Sequence, residues 1–368
     1  MKVKSRISSE NLFFVLVQTM MGVGLLSLPH QTHHAAGSDG WISILITGFF
    51  IQLIVLLIWL LCIKFPNLTL FDFSKVILGK TSGTALNFLY IIYLLTMICY
   101  IFIVYADILK RWILPETPVW VLFLIEFVLL IYGSICKIKN VISLLSFLFI
   151  FILFLFFITF FVYGDSSIDV RYLFPIGSSG GWNILKSTSD SMISLTGFET
   201  LLIYFAFIKQ SKKNISALKG AFLAVLFVTI FLTYIVILST VMLSPEEIKI
   251  TSEPVLYILS AIEIRILSRL DLIFLSFWGL IVFTTIISYS FSASIGISKL
   301  IRIKHKFAVI LSGTFVFIIS MIFYYMEITL LEKWLTHLSL IFGIIIPILL
   351  LLITIIFKRE VASTYEKN

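Results

Sequence analysis

The sequence predicts an all-α polytopic membrane protein, built as a single integral membrane domain over residues 1–368. Of its residues 60% are hydrophobic and only 12% are charged, and the mean hydropathy is +1.12. Apolar runs of about 20 residues, the length that crosses the hydrocarbon core of a bilayer, recur along the whole chain. None of the stretches between them is long enough to fold alone, so the composition excludes a soluble globular domain.

Ten apolar windows are candidate membrane spans, numbered here in chain order. They lie near residues 11–36, 41–63, 84–109, 118–135, 140–163, 184–208, 215–242, 270–298, 308–326 and 334–357. Ten spans divide into five and five, which predicts two repeats over about residues 11–163 and 184–357. If the repeats are inverted, spans one and six occupy equivalent positions.

The basic residues predict the orientation of the spans. The net charge is +8, yet Lys and Arg form short clusters between apolar runs rather than one basic face. With the N-terminus inside, 19 of the 27 Lys and Arg residues fall on the cytoplasmic side, so both termini should be cytoplasmic. Lys110 and Arg111 are the local exception. The positive charge therefore indicates membrane topology, and we expect no nucleic-acid partner.

Three connections between spans have recognisable patterns. On the cytoplasmic side, residues 65–80 predict a short amphipathic interfacial helix, capped by Asn67 or Thr69 and ended by Gly79. The longest outer connections are GDSSIDVRYLFPIGSSGGWN and SPEEIKITSEPVLYILSAIEI. The second should carry a helix after Pro254 and can act as a lid.

Spans one and six each contain a glycine-rich interruption near the middle. The two interruptions are Gly22-Val23-Gly24 in span one and Thr196-Gly197-Phe198-Glu199 in span six. Glycine in a membrane helix often serves close packing alone, so either cluster by itself is weak support for a site. Interruptions at corresponding places in two halves are instead typical of a binding site at the membrane midplane.

The interruptions also predict the kind of ligand. Unwound backbone needs polar partners, because hydrocarbon offers none. The N-terminal end of the second half-helix presents free N–H groups and a positive dipole end, which suit a carboxylate. The C-terminal end of the first half-helix presents carbonyl oxygens, which suit an amine. An amino-acid zwitterion would satisfy both.

Two acidic side chains lie near the middle of predicted spans, Glu199 in span six and Glu126 in span four. A charged side chain at that depth costs about 2.5–3.5 kcal/mol on insertion scales, so both should face the interior or a water path. Glu199 can contact a ligand, an ion or a gate, or it can tie the break to a neighbouring helix. For Glu126 a functional contact and a structural hydrogen bond are both open.

The chain resembles a known family over particular stretches. Gly22-Val23-Gly24 followed by LLSLP, then AAGSDGWISILITG and FPNLTLFDFSKVILGK, is similar to the start of endospore germination permeases, the B subunits of spore nutrient receptors. The GFE of span six resembles the amino acid, polyamine and organocation transporter superfamily, to which those subunits belong. The resemblance is most specific over residues 8–80.

The resemblance implies a LeuT-like five-plus-five inverted repeat with broken helices one and six. It also implies a location in the inner membrane of a spore, in a receptor with a larger A subunit and a lipoprotein C subunit. The implied ligand is a small nutrient such as an amino acid.

In a LeuT-like arrangement spans three and eight flank the broken helices. Two polar stripes occur there: Tyr93, Thr96 and Tyr100 in span three, and Thr285, Ser288, Tyr289 and Ser292 in span eight. Each set shares one helical face, as a pocket wall would, although tyrosines also mark membrane interfaces and hydroxyls often bond their own backbone. The candidates nearest mid-depth are Thr96, Tyr100, Thr285 and Tyr289.

Few other residues form a pattern typical of a metal site or a catalytic site. His30 and His34 have the i, i+4 spacing of metal ligands, but no nearby Cys completes a ligand set, so these residues and His33 are interpreted as a polar wall of the outer vestibule. No HExxH motif and no phosphate-binding glycine loop followed by lysine is present. We therefore expect neither an enzyme nor a metal or other cofactor.

A receptor and a secondary transporter remain as alternatives. Alternating access uses the same broken helices, and by physics alone the sequence indicates a transporter. Span five has no lysine in its middle, which leaves Glu199 or water as a proton route and weakens proton-coupled uptake. The family resemblance favours the receptor, in which ligand binding shifts a helix equilibrium that partner subunits sense.

Overall fold

The computed structural model describes residues 8–164, 168–209, 215–262, 269–325 and 328–357, and most of these residues are helical. The termini, which are predicted to be cytoplasmic, lie partly outside these ranges, as do Lys212 and Lys213 and the ends of some predicted loops. The α-helices are α1 (Asn11–Met20), α2 (Gly24–Ala36), α3 (Gly40–Lys64), α4 (Leu70–Leu78), α5 (Lys80–Trp112), α6 (Val119–Ser134), α7 (Ile138–Thr159), α8 (Gly181–Asp190), α9 (Leu201–Tyr204), α10 (Ile215–Met242), α11 (Pro245–Ile250), α12 (Pro254–Ala261), α13 (Leu270–Ile301), α14 (His305–Phe323), α15 (Ile328–Ser339) and α16 (Ile346–Ile356).

Seven segments of the described chain are long and apolar enough to cross a membrane, which confirms a polytopic helical membrane protein. The count of ten spans stays a prediction. Three predicted spans contain shorter apolar helices, Asn11–Met20, Val119–Ser134 and Phe198–Phe207. In addition, α2 and α3 form one continuous segment, because only a 3₁₀ turn at Gly37–Asp39 separates them. The division into two repeats likewise stays a prediction.

Helices α5 and α13 form the centre of the bundle. In each of them 67% of the most apolar window is buried inside the protein, against 33% for α14. Helix α13 packs against α1, α5, α6, α7 and α14. Small residues on its surface permit this crowding: a Cβ atom on Gly296 would lie 2.6 Å from the ring of Phe71 in α4. The two helices that carry the predicted polar stripes are therefore the two most enclosed.

Contacts between helix ends define the face that we call the inner face, because it carries the lysine-rich connections. The N–H of Thr69 donates to the Asp72 carboxylate at 3.0 Å, and α4 stops at Gly79, whose φ is +85°. This confirms the predicted helix and its Thr69 cap. Lys299, near the end of α13, pairs with Asp72 and donates to Thr69 Oγ1 at 2.7 Å. The inner ends of α4 and α13 are thus tied together.

The opposite, outer face carries the second long connection, whose described part, residues 244–262, we call the outer lid. It contains the predicted helix after Pro254, as α12. Two histidines of α2 hold the lid through its backbone. Nδ1 of His30 lies 2.8 Å from the carbonyl oxygen of Ile248, and Nε2 of His34 lies 3.0 Å from that of Lys249. Because a carbonyl oxygen only accepts, both imidazole rings act as donors here.

The outer lid is also anchored to α5. The guanidinium group of Arg111 lies 2.7 Å from the Glu253 carboxylate of the lid and 2.8 Å from Asp107 on its own helix. The indole N–H of Trp112 donates to Glu253 at 3.4 Å. Arg111, an exception to the charge distribution, is therefore neutralised by two carboxylates on the outer face.

Candidate ligand site at two helix breaks

The first helix break separates α1 from α2 and exposes its carbonyl groups to α13. The N–H of Gly22 turns back to the Met20 carbonyl oxygen at 3.0 Å instead of continuing the α-helical pattern. The hydroxyl of Thr285 donates to the carbonyl oxygen of Gln18 at 2.8 Å and lies 3.4 Å from that of Met21. A hydroxyl group of α13 therefore satisfies the Gln18 carbonyl oxygen, which the unwound turn leaves free.

The second break lies between the 3₁₀ turn at Ile193–Leu195 and the one at Phe198–Thr200. Thr196 is extended, and Gly197 has a φ of +121°, a conformation that L side chains rarely adopt. A Cβ atom on Gly197 would lie 2.8 Å from the carbonyl carbon of Thr19 and 2.9 Å from the Met20 nitrogen. The backbone of the second break therefore packs directly on the end of α1, beside the first break.

Glu199 holds the second break in place. It is fully buried, and its Oε2 accepts the N–H of Gly197 at 2.8 Å. Its Oε1 accepts the hydroxyl groups of Tyr93 in α5 and Tyr289 in α13, both at 2.9 Å. Such donors to a carboxylate give strong hydrogen bonds. In this conformation Glu199 thus links the break to both central helices.

Close approach between the two broken spans depends on Gly24. A Cβ atom there would lie 2.8 Å from the Cα of Ser194, closer than real Cβ contacts come. At Gly22 the nearest atom to such a Cβ would be the Thr285 methyl group, at the ordinary contact distance of 3.5 Å. Gly24 is therefore required by packing, whereas Gly22 has space for a methyl group.

Between the breaks lies a small cavity of about 20 Å³. That volume holds about one water molecule and is far smaller than an amino acid. The walls combine hydroxyl groups with aliphatic and thioether side chains and with the backbone of both breaks. The lining residues are Thr19, Met20, Gly22, Val23, Gly24, Met97, Tyr100, Ile101, Ile193, Ser194, Thr196, Thr285 and Tyr289. A ligand of amino-acid size requires this site to open.

Most of the residues predicted from the sequence converge on this cavity. Those in its wall are Gly22, Val23, Gly24, Tyr100, Thr196, Thr285 and Tyr289. Gly197, Phe198 and Glu199 lie in the adjoining second break, and Glu199 is bonded to the Tyr289 hydroxyl in the wall. Thr96 is placed differently: its hydroxyl donates to the Ile92 carbonyl oxygen of its own helix at 2.9 Å, and it is absent from the wall.

Several wall residues were not among the predicted site residues. They are Thr19, Met20, Met97, Ile101, Ile193 and Ser194. Met97 and Ile101 share a helical face with Tyr93 and Tyr100. Because both side chains are apolar, the sequence does not distinguish them from the other residues of an apolar span. The others occupy the turn that precedes a break, so including one turn on the N-terminal side of each break would have found them.

A polar network supports the site from behind. Thr19 Oγ1 lies 2.5 Å from the Ser288 hydroxyl, and the hydroxyl of Tyr204 donates to the Ser288 carbonyl oxygen at 3.2 Å. The Gln18 amide donates to the Leu145 carbonyl oxygen of α7 at 3.1 Å. The site is thus supported by α1, α7, α13 and the segment after the second break.

The outer histidines and Asp39 are occupied by structural contacts. His30 and His34 hold the outer lid, and the buried Asp39 carboxylate accepts the N–H groups of Gly177 at 2.8 Å and Ser179 at 3.0 Å. Throughout the described ranges, no group of three or more His, Cys, Asp and Glu side chains is arranged to hold a metal ion.

Two broken helices that pack on each other and are bonded to α5 and α13 through Glu199 define a class of protein, the membrane proteins with the fold of LeuT-type transporters. Mhp1, a nucleobase-cation-symport-1 family transporter, is similar with a TM-score of 0.66 and 12% identity, over 91% of this chain and 75% of that one. A Na⁺-coupled sialic acid symporter gives a TM-score of 0.63 and 16% identity, over 92% and 79%. The Eremococcus coleocola manganese transporter gives 0.63 and 14%, over 95% and 82%. At these identities the likeness shows the fold alone.

The chain belongs to the spore germination protein family, whose family model matches residues 6–330. Spore germination protein GerQB of Bacillus cereus is 27% identical over 354 residues, which cover 96% of this chain and 97% of the relative. Spore germination protein A2 of Bacillus subtilis (strain 168) is 27% identical over 312 residues, covering 83% and 84%. The family predicted from the N-terminal motifs is confirmed. None of the proteins named here is described as an enzyme.

Proposed function

We propose that this chain is the B subunit of a spore nutrient receptor, and that it binds a small nutrient, an amino acid, between the two breaks. The signal passes to a larger A subunit and a lipoprotein C subunit in the spore inner membrane, with both termini of the chain cytoplasmic. The observation that carries the proposal is the convergence of both breaks on one buried cavity, in a member of the spore germination family.

The cavity wall offers groups for both ends of an amino acid. Helix α2 begins at Gly24 without a side-chain cap, so its first N–H groups and its positive dipole end suit a carboxylate. The hydroxyl oxygens of Thr19, Ser194 and Thr196 lie in the same wall and can accept from an ammonium group. Met20, Val23 and Met97 provide an apolar surface for a small side chain.

The small cavity volume supports signalling through a change of conformation. A cavity of about 20 Å³ cannot contain an amino acid, so its walls must lie further apart in the ligand-bound state. A ligand that binds only the open state shifts the population towards it. Helices α2 and α5 both contribute to the cavity wall, and both hold the outer lid through His30 and Arg111. Opening the site would therefore move the residues that hold the lid.

The alternative is a secondary amino-acid transporter, which the similarity in fold to three transporters supports. Unwound helices of such transporters commonly offer carbonyl oxygens to a coupling cation. Here the carbonyl oxygen of Gln18 is engaged by the Thr285 hydroxyl, and that of Met21 lies near it. This engagement favours the receptor, because the Gln18 carbonyl oxygen is satisfied without a cation.

Purified chain in liposomes distinguishes the two functions. We expect saturable binding of one or more members of an amino-acid panel, with no accumulation inside the liposomes. Gly24→Leu, which fills the cavity, should abolish that binding. Saturable uptake by the isolated chain would establish the transporter, and binding that survives in Gly24→Leu would place the ligand elsewhere.

A further inference from the structure

A second buried polar group lies on α6, away from the ligand site. Glu126 is 1% exposed, and neither of its carboxylate oxygens has a hydrogen-bond partner in the described structure. The helix cannot easily rotate this side chain towards lipid, because α6 packs closely on α13 along the same face: a Cβ atom on Gly133 would lie 2.3 Å from Ile287. An acid enclosed in this way has to be satisfied within the bundle.

An unpartnered acid of this kind is unusual. Buried carboxyl groups nearly always have hydrogen-bond partners in folded proteins, water included.

The chemistry of the neighbours identifies the occupant. A hard cation needs a shell of several oxygen ligands, and no group of three or more His, Cys, Asp and Glu side chains in the described ranges is arranged to hold a metal ion. No cationic side chain of the described chain pairs with Glu126; the ion pairs of α5 and α13 use Asp107 and Asp271 near the ends of those helices. An ionised carboxylate left unpaired in a dry interior is prohibitively costly.

We infer that Glu126 is a proton-binding site, occupied as the neutral carboxylic acid. The site is separate from the ligand cavity, since Glu126 is absent from the cavity wall. It lies at the packing of α6 on α13, the helix that supplies Thr285 and Tyr289 to that wall. Loss of the proton would leave a charge at this packed contact and push α6 away from α13.

Infrared spectroscopy of the purified chain in liposomes at neutral pH tests the proton directly. We expect a carboxylic-acid C=O band that is lost in Glu126→Gln. The same substitution at the exposed Glu116 is the matched control and should leave the band intact. Glu199→Gln separates any contribution of the other buried acid. A spectrum that is unchanged in Glu126→Gln would overturn the inference.

Isotope exchange gives a second measurement. Prolonged transfer to D₂O should shift the Glu126 band, because the proton of a neutral carboxylic acid exchanges for deuterium. A band that does not shift would contradict a carboxylic-acid proton at Glu126. Circular dichroism of each variant confirms that the chain is folded, so loss of a band cannot be mistaken for unfolding.

Discussion

At the scale of single residues, Gly197 and Gly22 form a matched pair. Alanine at Gly197 is forced to a φ of +121° and places its methyl carbon 2.8 Å from the backbone of Thr19. The strained backbone alone costs about 1–3 kcal/mol. We expect Gly197→Ala to lower thermal stability and abolish ligand binding, whereas Gly22→Ala, with 3.5 Å to its nearest neighbour, should be tolerated. Equal binding by the two variants in a direct ligand-binding assay would contradict the proposed geometry.

Glu199 supports the second prediction at this scale. In Glu199→Gln the amide oxygen can still accept from Tyr93 and Tyr289, but the amide N–H₂ then faces the N–H of Gly197. A donor left unpaired in this way costs about 1–3 kcal/mol, so ligand affinity and stability should both fall.

The control for Glu199→Gln is Glu126→Gln, in which the amide resembles a neutral acid and should be tolerated. Binding isotherms and melting curves of both variants provide the comparison. If the two substitutions have the same small effect, Glu199 does not organise the site.

The sequence predicts site residues best at positions where the backbone conformation or a close contact requires glycine. Gly24 and Gly197 were identifiable because only glycine fits a positive φ or so close a contact. The sequence could not decide between Thr96 and Met97 for the cavity wall, because positions i+3 and i+4 from Tyr93 are both compatible with the same helical face. In the folded chain Met97 lies in the cavity wall, and the Thr96 hydroxyl donates to a backbone carbonyl oxygen of its own helix.

At the scale of secondary-structure elements, the contact between α2 and the outer lid can be weakened selectively. His30→Ala combined with His34→Ala removes two hydrogen bonds to lid carbonyl groups. Each is worth about 0.5–1.5 kcal/mol, so hydrogen exchange of lid amides should accelerate by roughly tenfold. His337→Ala is the control, because that ring bonds a carbonyl group of its own helix, Lys333, at 2.7 Å. Unchanged exchange in the double variant would show that the histidines do not hold the lid.

Element boundaries were predictable where a local signal exists, as for α4 with its Thr69 cap and terminal Gly79. The partner of Arg111 was not predictable, since Glu253 belongs to the other half of the chain and no local pattern connects them. Likewise the imidazole groups of α2 bind backbone carbonyl groups, which carry no sequence signature.

At the scale of the whole molecule, ligand binding should stabilise the folded chain. A ligand at about 100 times its Kd adds about 2.7 kcal/mol to the unfolding free energy, and the melting temperature rises accordingly. Gly24→Ala places a methyl carbon 2.8 Å from Ser194 and should lose this stabilisation. Gly181→Ala, where a Cβ atom would meet open space, should keep it. Equal ligand-induced shifts in the two variants would contradict a site between the breaks.

The class of the protein could be predicted from hydropathy, because repeated apolar runs of about 20 residues are typical of membrane-spanning helices. The number of spans was harder to predict, since interrupted helices such as Asn11–Met20 are too short to be recognised by length. The relation between the halves depends on three-dimensional packing, which one-dimensional patterns only suggest.

Gly197 against the backbone of Thr19 and Gly24 against that of Ser194 join the two interrupted helices at two close contacts. Neither interruption can change its backbone shape without displacing the other, since no side chain lies between them to absorb the movement. A displacement of the backbone at one interruption is therefore passed directly to the backbone of the other.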